Sequence, residues 1–343
     1  MITISLCMIV KNEEKILARC LDSVADIMEE IIVVDTGSTD RTKEIAARYT
    51  EHIYDFEWTD DFSAARNYAF SRASCEYVYS ADADEVLNEE NRRRFLRLKE
   101  MLLPEVEIVQ MKYANQLQYN TIYNFDEEYR PKLFKRKRDF VWEAPIHETI
   151  RLEPVVYDSD IVINHLPEAS HAKRDLMNFH RQCLKGYRLS KRLHNLYARE
   201  LLIAGDEEDL ALASDFFMAS AADGKRDGEE IAEACCVAAR AARQKGDVVT
   251  FFKYASKVIA EEANSEICCE MGHFYEDRGD HEEAAVWYYN AVYETQPALN
   301  LQAGGREGLE GLIRCYERLG CEEQADIYRT ELAERILPVR KGL

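Results

Sequence analysis

Short apolar runs and amphipathic segments alternate along the first third of the chain. The runs rich in β-branched and aromatic residues cover residues 2–10, 31–34, 77–79 and a stretch near Ile53. The segments between them repeat apolar residues at helical spacing, over residues 13–25, 40–49 and 62–73. Three later strand-like runs cover residues 106–113, 132–135 and 141–147. Alternation of this kind predicts βαβ units and a mostly parallel sheet.

The first amphipathic segment gives the clearest helix prediction. Asn12 is of a type that favours helix N-caps, and Glu13 and Glu14 would lie in the first turn, where acidic side chains suit the helix dipole. The predicted buried face consists of Ile16, Leu17, Cys20, Leu21 and Val24. We therefore predict a helix that begins after Asn12 and ends near Ala25.

From about residue 170 the pattern becomes helical throughout. Four glycines separate helical patterns at spacings of 41, 33 and 41 residues, namely Gly205, Gly246, Gly279 and Gly320. The unit at residues 271–297 follows the tetratricopeptide pattern through Gly272, Tyr275, Gly279, Ala284, Tyr288, Ala291 and Pro297.

These patterns predict two domains. Residues 1–169 are expected to form an α/β domain, and residues 170–343 an all-α, tetratricopeptide-like repeat domain. Helical repeats form concave surfaces, so the second domain is expected to capture an acceptor or to form a homodimer.

The charge balance narrows the classes of partner. The chain has 44 Lys and Arg residues against 64 Asp and Glu residues, which gives a net charge of −20. Binding of duplex nucleic acid needs basic side chains that neutralise phosphates, so we expect no nucleic-acid partner. The same charge disfavours tight binding to anionic lipid.

Hydropathy and cysteine usage predict a soluble, cytoplasmic protein. No run approaches the roughly 18 apolar residues of a membrane span. Residues 1–10 lack a basic start and lead into Lys11 and Asn12 instead of a small-residue cleavage site, so we interpret them as a strand. The 10 cysteines are scattered without a C-x-x-C motif and are expected to be small core residues in a reducing compartment.

Two carboxylates follow the apolar run at residues 77–79. In a continued strand Asp82 and Asp84 point to the same side, at the carboxyl edge of the sheet. Carboxylates suit Mg²⁺ or Mn²⁺, hard ions that also accept diphosphate oxygens. The alternative is a solvated acidic loop.

Five motifs in a fixed order carry a resemblance to a known family. They are CMIVKNEE at residues 7–14, VVDTGSTD at 33–40, ARN at 65–67, DADE at 82–85 and HE at 147–148. The series resembles glycosyltransferase family 2, whose GT-A fold is a Rossmann-like mixed, mostly parallel sheet and which moves sugars from nucleotide diphosphates. The resemblance covers roughly residues 3–166. Among the members of the family, the chain is similar to bacterial lipopolysaccharide-core transferases and bacteriocin peptide S-glycosyltransferases.

The resemblance implies a donor site and a metal site. The implied nucleotide-sugar residues are Val10, Asn12, Glu13, Asp35, Asp61, Arg66, Asp82 and Ala83. The implied metal site has Asp84 as direct ligand, Asp82 at the ribose or the water shell of the ion, and His165 as a third contact.

Several of these residues have a structural alternative. Asp35 could be a turn carboxylate, and Glu13 could favour a helix N-terminus. Arg66 is implied to lie near the ribose or diphosphate, anchored by Asp61, and could instead form a surface salt bridge. His165 could be structural.

The resemblance also implies a general base. In an inverting transfer the acceptor hydroxyl or thiol must lose its proton as it attacks C1 of the sugar. Glu148 is the implied base, and His147 the positioning residue or alternate base.

Two further features of the sequence each have two interpretations. The basic run at residues 135–138 is either a solvated hairpin turn or a holder for the diphosphate of a lipid-linked acceptor. Four aromatic residues either stack on sugar rings or belong to the core, namely Tyr113, Tyr119, Tyr123 and Trp142.

The sequence therefore predicts an inverting, metal-dependent glycosyltransferase. The donor is expected to be a UDP-sugar, the cofactor Mn²⁺ or Mg²⁺, and the acceptor a peptide, a protein or a saccharide. One alternative is an inactive scaffold that mediates protein interactions. A second, a nucleotidyltransferase, is disfavoured because residues 11–14 lack the Gly-rich loop that would hold a triphosphate.

Overall fold

A computed structural model describes residues 1–114, 128–150, 153–167 and 172–336 of the chain. It divides into two compact units, Met1–His171 and Ala172–Leu343. Tyr119 and Tyr123 lie outside the described residues. Every helix of the described part is too short or too polar to cross a membrane.

The first unit has an α/β fold. Its strands are β1 (Ile4–Val10), β2 (Glu30–Asp35), β3 (Ile53–Asp55), β4 (Tyr77–Ser80), β5 (Glu85–Val86), β6 (Ile108–Ala114), β7 (Glu128–Lys135), β8 (Trp142–Glu143), β9 (Thr149–Ile150) and β10 (Val156–His165). Its α-helices are α1 (Leu17–Val24), α2 (Thr42–Ala46), α3 (Phe62–Arg72) and α4 (Glu89–Met101).

Eight of these strands form one mixed sheet in the order β3-β2-β1-β4-β7-β6-β10-β5. The pairs among β3, β2, β1 and β4 are parallel, as is β6 with β10, whereas β7 and β5 run antiparallel to their neighbours. The carboxyl ends of β1, β2 and β4 therefore open at one edge. The predicted fold class, a mostly parallel α/β sheet followed by an all-α part, is confirmed.

The sheet is covered on both faces. Leu6 and Met8 of β1 pack into the core cluster that contains α1 and α4 residues, whereas Cys7 packs into the cluster that contains Ala69 of α3. A strand buried on both faces reads as a continuous apolar run, which is how residues 2–10 read in the sequence.

The predicted cap of the first helix is wrong. The helix begins at Leu17 with Ile16 at the N-cap, although all five residues of the predicted apolar face are buried. Asn12 has a φ of 56°, and its side-chain oxygen accepts the backbone N–H of Thr39 at 2.8 Å. Asn12 therefore ties the loop after β1 to the loop after β2.

The predicted strand at residues 141–147 is wrong in its length. Only Trp142–Glu143 is extended, and it pairs with Thr149–Ile150. Ala144 and His147 have φ values of 81° and 47°, so the chain reverses between the two short strands.

The second unit is helical. Its α-helices are α5 (Ala172–Leu184), α6 (Lys191–Ala204), α7 (Glu207–Ser220), α8 (Gly228–Gln244), α9 (Val248–Glu261), α10 (Ser265–Glu276), α11 (His281–Tyr289), α12 (Gly308–Arg318) and α13 (Glu322–Ile336). Two π-helical turns, Asn290–Glu294 and Ala303–Glu307, separate α11 from α12.

Glycines set the turns and the close contacts of this unit. Gly246, Gly279 and Gly320 have φ values of 72°, 78° and 74°. Gly205 differs from the predicted common setting, because it ends α6 with a φ of −72°. A Cβ atom at Gly272 would lie 2.7 Å from the ring of Tyr288, so α10 and α11 approach each other closely at this position.

Candidate active site

Arg66 joins three separate parts of the chain at the carboxyl edge of the sheet. Its guanidinium donates to Ser80 Oγ at 2.9 Å, to Asp82 Oδ1 at 2.9 Å and, through Nε, to Glu148 Oε1. It also lies over the ring of Trp142, 5.3 Å from the centroid. Three of the predicted site residues, Arg66, Asp82 and Glu148, therefore belong to one cluster.

Helix α3 is tied to the segment that carries Glu148. The side-chain amide of Asn67 donates to the carbonyl of Trp142 at 2.9 Å and accepts the N–H of Trp142 at 2.8 Å. The N–H of Phe62 donates to the carbonyl of Pro145 at 3.0 Å. These three bonds hold Glu148 next to Arg66, although the two residues are 82 positions apart.

His147 precedes Glu148 in a strained conformation. Its φ of 47° is uncommon for a residue other than glycine, and such residues concentrate at functional sites. The left-handed backbone turns the chain so that the next side chain, Glu148, reaches Arg66.

Asp82 lies in a turn and not on a continued strand. Strand β4 ends at Ser80, and the carbonyl of Asp82 accepts the N–H of Glu85 at 3.2 Å. The expected alternation of Asp82 and Asp84 along a strand is therefore wrong. Burial alone would raise the pKa of Asp82, but the charges of Arg66 and Lys132 outweigh it and lower the pKa to about 2.

Asp84 faces His165 on the other side of the turn. Asp84 Oδ2 lies 3.1 Å from His165 Nε2, and both residues are buried. The carbonyl of Asp84 also accepts the N–H of Leu166 at 2.9 Å. The ring of Tyr113 lies 5.0 Å from that of His165, centroid to centroid. Two predicted metal contacts are thus adjacent, and Ala83 between the carboxylates is buried.

The donor set of Asp84 and His165 fits a divalent ion that is shared with a substrate. The described residues contain no cluster of three or more His, Cys, Asp or Glu side chains able to hold an ion alone. Mg²⁺ in proteins is commonly held by one or two carboxylates together with substrate phosphates. The carboxylate suits Mg²⁺ or Mn²⁺, and the imidazole suits a transition-metal ion.

Asp35 lies at the same edge of the sheet, as the last residue of β2. Its Oδ1 accepts the N–H groups of Gly37 at 3.0 Å and Ser38 at 2.9 Å, so the turn role considered above is present. Its Oδ2 is buried and accepts no hydrogen bond from any described residue. Buried carboxylate oxygens are nearly always paired, so Oδ2 has an unused capacity to accept a hydrogen bond.

The loops after β1 and β2 are fastened to each other beside Asp35. The carbonyl of Val10 accepts the N–H of Thr36 at 3.0 Å, and the N–H of Glu13 donates to Thr42 Oγ1 at 2.7 Å. Val10, Asn12 and Glu13 consequently lie along the same edge as Asp35.

Asp61 does not take the role expected of it. Its Oδ1 accepts the N–H of Ala64 at 3.1 Å and the hydroxyl of Ser63 at 2.7 Å, so it caps α3. We expected Asp61 to anchor Arg66, and the anchors are Asp82 and Glu148 instead. Asp61 contributes by starting the helix that carries Arg66.

The basic run at residues 135–138 lies far from these carboxylates. Lys135 pairs with Tyr77, the first residue of β4, so the run follows β7 to the opposite edge of the sheet. There Arg138 pairs with Glu107 at 2.6 Å and Arg136 donates to the carbonyl of Cys75. The alternative considered above, a holder for the diphosphate of a lipid-linked acceptor, is therefore not supported at this site, because β7 runs antiparallel to β4 and carries the run away from it.

Two residues of the site were not predicted. Ser80, a buried residue at the end of β4, has no distinguishing sequence signal. Lys132 donates to Glu85 Oε1 in the core. The sequence feature that could have indicated Lys132 is a lysine inside an apolar strand-like run. Burial raises the pKa of Glu85 to about 7, although the charge of Lys132 opposes the increase.

Comparison with known proteins shows what this domain is similar to. Residues 5–151 match the model of the family "Glycosyl transferase family 2". A TPR repeat-containing protein of Synechococcus elongatus is 38% identical over 153 residues, which are 44% of this chain and 36% of that protein. The glycosyltransferase SunS of Bacillus subtilis is 30% identical over 170 residues, 48% of this chain and 37% of that protein. The match thus spans little more than a third of either relative.

A solved structure adds a distant likeness. Glucosyl-3-phosphoglycerate synthase from Mycobacterium tuberculosis, in complex with Mn²⁺ and UDP-glucose, has a TM-score of 0.39 and 13% identity. The likeness covers 53% of this chain and 77% of that chain and is too weak to bear on function. The resemblance to family 2 rests on residues 5–151 and is confirmed there.

Proposed function

We propose that the family 2 glycosyltransferase domain at residues 5–151 is an active, inverting, metal-dependent enzyme that transfers a sugar from a nucleoside diphosphate. One observation carries this proposal: Arg66 bonds both Asp82, on the donor side, and Glu148, the expected base. A guanidinium between the two is placed to bind a diphosphate while it keeps the base beside the reacting carbon.

The nucleoside would lie along the edge between β1 and β2. The buried Oδ2 of Asp35 can accept a hydrogen bond from an N–H group of the base or from a ribose hydroxyl. Uridine has such an N–H group, and UDP is the donor nucleotide that we propose.

Asp84 and His165 would hold Mn²⁺ or Mg²⁺ together with the diphosphate. A divalent ion there would stabilise the negative charge of the departing nucleoside diphosphate. Asp82 would remain with Arg66 and contact the ribose or the water shell of the ion.

Glu148 would act as the general base. Arg66 uses Oε1 of Glu148, and Oε2 is the oxygen that would accept the proton of the acceptor hydroxyl or thiol. The bond from the acceptor atom to C1 forms as the bond from C1 to the phosphate oxygen breaks, and the proton remains on Glu148. Attack opposite the leaving group inverts C1. His147 would position Glu148.

The acceptor is proposed to be a peptide, a protein or a saccharide, and the helical unit is proposed to capture it or to form a homodimer. A cytoplasmic location is proposed as well; the 10 cysteines are free thiols, of which 7 are buried. An inactive scaffold is the alternative, and the assembled cluster of Arg66, Asp82 and Glu148 weighs against it.

A thermal-shift screen of UDP-, GDP- and TDP-sugars, each with and without Mn²⁺, tests the donor site. A ligand that binds only the folded protein raises the melting temperature by mass action. We expect a Mn²⁺-dependent increase with a UDP-sugar. An unchanged melting temperature with every nucleotide would favour the scaffold.

A further inference from the structure

Lys132 is a charged residue in the interior of the first unit. Its side chain is 8% exposed and that of its partner Glu85 is 2% exposed. The desolvation of two charges in such a position costs several kcal/mol for each ion, and apolar replacements of similar volume are often as stable or more stable. Stability alone therefore does not account for the pair.

A β-bulge aims Lys132 at the interior. In the ladder between β6 and β7, Val109 pairs with Leu133 and Gln110 pairs with Pro131, so Lys132 is the extra residue. Bulges redirect a side chain and occur preferentially beside active sites.

The orientation of the side chains shows the effect of the bulge. Lys132, Leu133 and Phe134 are all buried, because both faces of the sheet are covered. Leu133 and Phe134 belong to different core clusters, on opposite faces of the sheet. Lys132 Nζ lies 5.2 Å from the ring centroid of Tyr113, which is in the cluster of Leu133. Lys132 and Leu133, although consecutive, thus face the same side of the sheet.

Lys132 reaches both sides of the Asp84–His165 pair. Its ion-pair partner Glu85 follows Asp84 directly and is paired in register with His165 across β5 and β10. Tyr113, the ring beside Lys132, is also the ring that packs against His165.

We propose that Lys132 is a positioning residue for the metal site, acting through Glu85. The ion pair fixes the turn that ends at Glu85, and with it the orientation of Asp84 towards His165. This inference rests on the proposed function, because it requires that Asp84 and His165 bind the ion.

The double variant Lys132→Met/Glu85→Gln tests the proposal. It removes the ion pair with little change of volume, and it removes the positive and the negative group together. A change in ion affinity therefore reports geometry and not local charge. The measurement is the Kd of Mn²⁺ in the presence of UDP, by electron paramagnetic resonance of free Mn²⁺, together with the melting temperature.

We expect Mn²⁺ to bind about tenfold more weakly, a loss of about 1.4 kcal/mol, with a melting temperature within a few degrees of the wild type. A Kd equal to that of the wild type would overturn the proposal. The matched control is Lys99→Met/Glu29→Gln, another ion pair with a buried lysine, at 2.7 Å. Glu29 precedes β2 and so lies at the amino edge of the parallel strands; this pair should leave the Kd unchanged.

The single variant Lys132→Met gives an independent answer, because the sign of its effect separates local charge from positioning. Removal of a positive charge near the site would tighten Mn²⁺ binding by electrostatics alone, whereas loss of positioning weakens it. Weaker binding supports the proposal and tighter binding overturns it. A wild-type protein that binds no Mn²⁺ with UDP would instead overturn the proposed function, and this inference with it.

Discussion

Arg66 and Glu148 form an ion pair across 82 positions of the chain, and the same guanidinium bonds Asp82 at 2.9 Å. Helix α3 and the segment that follows β8 therefore meet at one group. The planar guanidinium of Arg66 holds both carboxylates in a fixed geometry. Loss of one carboxylate therefore changes the position and the electrostatic environment of the other.

Glu148→Gln should separate binding from transfer. Glutamine keeps an oxygen that can accept the hydrogen bond of Arg66 but is not a base. We expect transfer to fall by roughly 10²–10⁴-fold, the usual contribution of a general base, while the Kd of the UDP-sugar changes less than about threefold. Initial rates and calorimetric titration would measure the two effects. Glu153→Gln, at an exposed position, is the control, and normal turnover of the Glu148 variant would refute the assignment.

Asp84→Ala should remove the dependence of donor binding on the metal. The carboxylate is one of two residues that face each other at 3.1 Å, and His165 alone would not hold the ion against water. We expect the Mn²⁺-dependent part of the thermal shift with a UDP-sugar to disappear. Asp158→Ala, on an exposed position of β10, should retain it. Retention by both variants would place the metal elsewhere.

Gly272→Ala should destabilise the helical unit. The added Cβ would lie 2.7 Å from the Tyr288 ring. The hydroxyl of Tyr288 bonds His273 at 2.7 Å and Glu276 at 2.6 Å, so the ring is restrained. We expect a loss of about 1–3 kcal/mol in the free energy of unfolding, measured by urea denaturation. Gly224→Ala meets nothing within 4 Å and should cost far less; equal losses would contradict the close approach.

Glu270 should make the second unit sensitive to acid. Burial raises its pKa, but the charges of Arg240 and Arg243 outweigh this effect and lower the pKa to about 2. In the unfolded chain a glutamate has a pKa of about 4.3. The ionised carboxylate therefore stabilises the folded state above this value, and the contribution is lost as the pH falls towards 2.

Glu270→Gln removes that contribution. The variant should be less stable than the wild type at pH 7, and the difference in free energy of unfolding should narrow as the pH falls below about 4.3. Chemical denaturation at a series of pH values would measure it. Glu261→Gln, at an exposed position, should follow the wild type. A constant difference across the range would show that Glu270 does not titrate in this way.

Most of the candidate site could be predicted from the sequence, because the carboxyl ends of parallel strands meet at one edge of the sheet. The carboxylates at the end of β2 and after β4 could be placed there from the apolar runs before them. The exact contacts could not be predicted. The Asp61 carboxylate caps α3 because the N–H of Ala64 lies nearer to it than Arg66 does. Asn12 adopts a left-handed conformation, which asparagine tolerates as readily as the N-cap position.

Two kinds of element escaped sequence reasoning. Helix α4 is rich in charged residues, and Phe95 is its one fully buried aromatic side chain among the described residues, so its apolar stripe is narrow. The bulge at Lys132 depends on register, which no local pattern of β7 specifies. The antiparallel course of β7, which sends the basic run to the far edge, is likewise a property of the whole sheet.

The reciprocal bonds between Asn67 and Trp142 bear on protein engineering. Both bonds use backbone groups of position 142, so they tolerate a change of side chain there as long as Asn67 is kept. A chimera that exchanges the β8–β9 hairpin should therefore keep Asn67 in α3 and a carboxylate at position 148 for Arg66.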